Sequence, residues 1–236
     1  MRGSRHNRGM PGSLGSALDA IADVQAHLPR STALLVGLGA LATVTLPGLS
    51  HLTRHVSTMA HEGAHAVMGS ATGRRVTAVK LSGNGEGRTT MTQPQGAGYL
   101  LAGVVGYLGP SAFGLGAARL IEIGHIIAVL WLAMLALALL AVMVRRNGFG
   151  QVAVGATGAG LFLVARYATL GAQIAVAYGI AWFLLVSGVR VVLQHGTHAS
   201  DAIALRELTR LPRSVWAGFW LICSAAALVL GGTMLV

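Results

Sequence analysis

The sequence predicts an all-α polytopic membrane protein of about six to seven transmembrane helices, with one short cytoplasmic β-hairpin. Three observations lead there. Apolar residues make up 54% of the chain and charged ones only 10%, where a soluble domain of this length carries about 25% charged residues. Mean hydropathy is +0.67. Seven segments approach the roughly 20 apolar residues that a span needs; they fall near 31–49, 53–73, 96–118, 124–144, 150–168, 171–193 and 213–235.

Residues 1–30 form a basic N-terminal segment. Within it Leu14, Leu18, Ile21 and Leu28 fall on one helical stripe and Asp19, Asp23 and Gln25 off it, which predicts an interfacial amphipathic helix over 14–28. Residues 31–236 then form one membrane domain. Its second segment is the least apolar, because His55, His61, Glu62 and His65 lie in it. Polar groups at such depth are costly and usually functional. The third segment contains Gly109-Pro110, a pair that kinks a helix. The Gly155 to Gly160 stretch reads as close helix packing. Between the second and third segments the period changes: 76–81 and 87–92 flank Ser82-Gly83-Asn84-Gly85-Glu86. Two short strands about a glycine-rich turn, a hairpin over 76–92, are expected there.

Charge then orients the chain. If the N-terminus is cytoplasmic and all seven segments cross, only Arg54, Arg119 and Arg166, three of the seventeen basic residues, fall on the opposite side. That bias obeys the positive-inside rule and puts the hairpin in the cytoplasm. It also accounts for the net charge of +10 through lipid headgroups and loop retention, so no nucleic-acid partner is expected. The single cysteine, Cys223, lies in an apolar run and supports neither a disulfide nor a cysteine metal site. The four tryptophans, Trp131, Trp182, Trp216 and Trp220, read as interface anchors or packing.

The residues able to do chemistry are few. His61-Glu62-Gly63-Ala64-His65 fits H-E-x-x-H. Residues four apart share a helix face, so both imidazoles reach one zinc ion, with Glu62 placed to take a proton from attacking water. The pattern stands nine residues before Arg74, which puts His65 about 14 Å from that helix end, inside the bilayer. Catalytic zinc usually has three protein ligands. Asp201, His195 and His198, in the loop before the last segment, are the candidates for the third, and the residues alone leave them level. Ser200-Asp201 also reads as a simple helix start. Glu122 and Arg119, three apart, form a surface ion pair of little weight.

These residues resemble the site-2 protease-like intramembrane zinc metallopeptidases, more narrowly their small bacterial, often actinobacterial, branch. The likeness runs over about residues 35–235. It rests on His61-Glu62-x-x-His65, Gly69 to Arg75 and the hairpin, together with Gly106-Tyr107 and Pro110. Arg146-Asn147-x-Phe149-Gly150 and Ser200-Asp201-Ala202 before Leu208-Thr209-x-Leu211-Pro212 complete it. The resemblance implies a zinc endopeptidase of a bacterial cell membrane that cuts membrane protein substrates in or beside their spans. It assigns the third ligand to Asp201 and substrate-strand pairing to the hairpin edge. Asp201 stands in neither Asn-Pro-Asp-Gly nor Leu-Asp-Gly, the surroundings usual in better-known members. The rival reading is therefore a non-catalytic membrane scaffold or metal-binding homologue. A transporter would require internal repeats, which the sequence lacks.

Overall fold

The computed structural model describes residues 21–93, 95–144 and 146–236. The helices are α1 (Arg30–Thr45), α2 (Pro47–Ala71), α3 (Ala97–Glu122), α4 (Ile126–Met143), α5 (Gly148–Tyr167), α6 (Leu170–His195), α7 (Ser200–Thr209) and α8 (Arg213–Leu235), with strands β1 (Val76–Leu81) and β2 (Gly87–Met91) between α2 and α3. Most of the interfacial helix expected over 14–28 lies outside the described residues. Of its end, Ile21 and Ala22 are helical and residues 24–29 are not.

Five helices, α3, α4, α5, α6 and α8, are long and apolar enough to cross a membrane, and α1 with α2 makes a sixth candidate bent by 95°. The bend has a local cause. Pro47 is the first residue of α2, and it holds Leu46 extended at φ −70°, ψ 128°, because the residue before a proline is driven out of the helical region. Proline is in turn well suited to open the next helix. The Thr53 hydroxyl donates to the Thr43 carbonyl at 2.9 Å across the break.

The first two segments therefore form one bent pair that counts as a single candidate span, which gives six candidate spans among the described residues. Gln25 donates its backbone N–H to the Gly124 carbonyl at 2.9 Å, and His27 Nε2 meets the Ile121 carbonyl at 2.8 Å. Both contacts are at the C-terminal end of α3. Arg74, by contrast, donates to the Gln95 carbonyl at 2.7 Å, just before α3 begins. Arg30 and Arg74, which seven crossings would place on one side, thus flank opposite ends of α3.

The main buried cluster joins α3, α4, α6 and α8 through Ala118, Ile121, Ile126, Leu130, Ala177, Tyr178, Ala181, Leu185 and Ala227. Alanines at four of these nine positions, Ala118, Ala177, Ala181 and Ala227, let the helices approach closely. Large apolar residues such as Leu35, Val152 and Ile222 remain exposed on the outside of the bundle, as lipid contact requires. α3 runs through Pro110 without ending. Trp220 is fully buried and donates to the Val104 carbonyl at 2.8 Å, so it is a packing residue rather than an anchor.

The hairpin matches its expected strands. It is antiparallel, pairing Val79 with Thr89 and Leu81 with Gly87, and has a bulge near Val76. Instead of projecting away, it folds back along α2. Val79 and Leu81 are buried with Met59 of α2, Leu140 and Val144 at the end of α4, and Val154 of α5. Arg54 donates to the Gly83 carbonyl at 3.1 Å and Thr58 to the Gly85 carbonyl at 2.7 Å. Asn147 secures the other side: its Oδ1 caps α5 by accepting from the Gly150 N–H at 2.7 Å, while its Nδ2 donates to the Leu81 carbonyl at 2.9 Å.

Candidate metal centre

One face of α2 supplies the two imidazoles. His65 is buried, at 7% exposure, and its Nδ1–H donates to the Ala102 carbonyl of α3 at 2.8 Å. This contact fixes the tautomer and leaves Nε2 as a lone-pair donor. His61 Nε2 stands 3.0 Å from His65 Nε2. The His61 ring meets the Tyr107 ring edge-on at 4.7 Å, and Tyr107 stacks on Trp220 at 4.6 Å. An aromatic wall from α3 and α8 thus backs His61.

Asp201 arrives from α7. Ala202 and Leu205, three apart, are buried against Tyr107, Val192 and Trp220, which docks the short helix and turns the preceding residue toward α2. Asp201 Oδ2 lies 3.1 Å from His61 Nε2 and 3.2 Å from His65 Nε2. It does not cap α7, whose N-cap residue is Ala199. As a carboxylate, Asp201 would be the charged donor beside the two imidazoles.

Among the described residues these three form a group able to hold a metal ion. The fit to zinc is close. Tetrahedral zinc with ligands at about 2.0–2.1 Å keeps its donors about 3.3 Å apart, and the three separations here are 3.0, 3.1 and 3.2 Å. Oδ2 of Asp201 is a buried oxygen with no hydrogen-bond partner, a costly state that an ion between the three atoms would relieve. The side chains of His61 and Asp201 retain 16% and 17% exposure, so the triangle is open on one side. His195 and His198, the rival donors, are exposed and take no part.

Glu62 is 3% exposed and is held by the hairpin. The Thr89 hydroxyl donates to Glu62 Oε2 at 2.6 Å. Gly87, on the same strand face, lies so close that a Cβ there would stand 2.4 Å from Glu62 Oε1. Neither Thr89 nor Gly87 was legible as a site residue. Their only signal is period-two spacing on a strand, which names a face without naming its neighbour. Asn147 was visible within a longer motif, and its role as tie between hairpin and α5 emerges only in three dimensions. Arg119 and Glu122 do pair, with both side chains exposed, as a surface ion pair.

No curated protein and no solved structure matches the chain. With apolar helices enough for an integral membrane protein and an H-E-x-x-H helix meeting a distant aspartate, the remaining question is kinship. It is answered by the family model for Peptidase M50B-like proteins, which matches residues 34–231 and so takes in α2, the hairpin and α7 together: the chain belongs to this site-2 protease-like family of metallopeptidases.

Proposed function

We propose that the protein is a zinc-dependent intramembrane endopeptidase that hydrolyses peptide bonds in, or next to, the spans of membrane protein substrates. The observation that carries the reading is the triangle of His61, His65 and Asp201 donors, 3.0–3.2 Å on a side, with buried Glu62 next to His61 in sequence. Bound zinc would supply Lewis acidity toward the scissile carbonyl and make water a nucleophile near neutral pH. Glu62 serves as general base, accepting the proton of the attacking water and returning it to the leaving amine. Thr89 keeps the carboxylate in one orientation. A helical substrate must unwind first, since its amides are otherwise satisfied internally, and the hairpin offers a strand edge on which an extended segment can pair.

The setting is a bacterial cell membrane. Arg74, Arg75, Arg146, Arg190, Arg206, Arg210 and Arg213 gather at the end of the bundle that holds the hairpin and α7, and the positive-inside rule makes that end cytoplasmic. With one broken crossing ahead of α3, residues 25–30 then belong to the opposite face rather than to the cytoplasm.

The test is elemental analysis of detergent-purified protein alongside cleavage of single-span reporters. Wild type and His198→Ala should each hold about one zinc per chain, while Asp201→Ala should lose most of it and all cleavage. Full zinc and parental cleavage in Asp201→Ala would remove the reading; a chain that binds no metal in any form would support the scaffold alternative.

A second expectation separates positioning from ligation. Thr89→Val removes a hydrogen bond to a charged group at nearly constant shape, so turnover should fall about tenfold with zinc content unchanged. Thr89→Ser should restore the rate. Equal rates for Val and Ser would show that the hydroxyl does not orient Glu62.

A further inference from the structure

Outside the metal centre, the cytoplasmic end of the bundle carries a concavity between α7 and the start of α8. It is lined by Ile203, Arg206, Glu207, Arg210 and Arg213. Among the described residues, none of the three guanidiniums is ion-paired, even though Glu207 shares the concavity. Nε of Arg213 is buried without a hydrogen-bond partner, a state that calls for an acceptor. Arg210 ends α7 in the left-handed region at φ 62°, a conformation that is costly for a side chain of this size. The start of α8 adds to the field. No side chain caps it and no acidic residue stands in its first turn, so the partial positive charge of its N-terminus is uncompensated.

Location narrows the ligand. α8 is a membrane-crossing candidate that begins at Arg213. The neighbouring Leu208, Leu211 and Val215 are exposed at 43%, 44% and 49%. Apolar side chains beneath a ring of arginines mark the boundary between hydrocarbon and headgroups. A phosphate there meets three forked donors suited to its oxygens, and acyl chains would lie along Val215 and the outer face of α8. Simple retention of a cytoplasmic loop explains arginines in this region. It does not explain three unpaired ones converging on one hollow with a buried N–H left over.

We propose that Arg206, Arg210 and Arg213 form a binding site for the phosphate of an anionic phospholipid headgroup. The site sits on the helix that supplies Asp201, at its opposite end, and does not depend on whether the protein is a peptidase.

The experiment measures lipid retention by the purified full chain in mixed micelles containing phosphatidylglycerol and phosphatidylcholine, read by native mass spectrometry. Wild type should retain phosphatidylglycerol in preference to phosphatidylcholine. Arg206→Gln/Arg210→Gln/Arg213→Gln should lower that preference about tenfold or more, because each basic residue near the surface contributes separately. A charge-matched control, Arg75→Gln/Lys80→Gln/Arg88→Gln at the base of the hairpin and on its strands, should leave it unchanged. Arg213→Gln alone tests the buried Nε and should lower the preference in a protein that retains its fold. Equal losses in the triple variant and the hairpin control would overturn the site, leaving only diffuse surface charge. Binding of inorganic phosphate, lost in the triple variant, with no preference between the lipids would overturn the lipid source. Displacement of retained phosphatidylglycerol by inorganic phosphate would support the headgroup phosphate as the recognised group.

Discussion

Glu62→Gln should keep the metal and abolish cleavage. The substitution preserves size and leaves His61, His65 and Asp201 untouched, so zinc content should stay at the wild-type level. The amide cannot accept a proton, so the rate on a single-span reporter should fall by about 10²–10⁴. Glu62 is 3% exposed and its carboxylate accepts from Thr89 at 2.6 Å, so the isosteric amide should sit in the same place. His65→Ala offers the contrast: removing a donor should lose zinc and cleavage together. A Glu62→Gln protein that cuts at the parental rate would end the mechanism, whatever its zinc content.

The second large effect belongs to a residue with no side chain. Gly106 of α3 faces the histidines so closely that a Cβ would stand 2.3 Å from His65 Nε2 and 3.0 Å from His61 Cε1. His65 cannot swing aside freely, because its Nδ1–H is held by Ala102. Gly106→Ala should therefore empty the centre: zinc should fall from about one per chain to near none, with cleavage falling alongside. The clash also lies between α3 and α2, so the metal-free variant should unfold at a lower temperature than metal-free wild type, and zinc content is therefore read on protein that retains its helical signal. Normal zinc content in Gly106→Ala would mean that α2 and α3 stand farther apart than described.

Much of this architecture was readable in advance, for definite physical reasons. The hairpin showed itself because strand alternation about a glycine-rich turn contrasts with the helical period on either side. The spans showed themselves through hydropathy. What averaging concealed was the 95° bend. A window long enough to find a span passes over Leu46-Pro47, although that dipeptide is a sufficient helix stop. That one proline turns two apparent spans into a single bent candidate. At the centre, the spacing of His61 and His65 guaranteed a shared face. The choice among Asp201, His195 and His198 was open because it depends on how α7 docks. Ala202 and Leu205 settle that docking, turning Asp201 inward and leaving the two histidines exposed. Thr89 and Gly87 were beyond reach, since their neighbour Glu62 lies on another element and no local pattern links them.

The candidate metal donors and the carboxylate proposed as base are held by different partners. His65 is fastened to α3 and Asp201 to the α3–α8 wall, whereas the Glu62 carboxylate takes its orientation from a two-stranded flap that Asn147 and Arg54 pin at its far end. If the proposed function holds, ion retention and proton transfer accordingly depend on separate contacts. A strand that lifted or twisted the flap would detune the base while leaving the cation seated, so loading and turnover are separable properties of one chain.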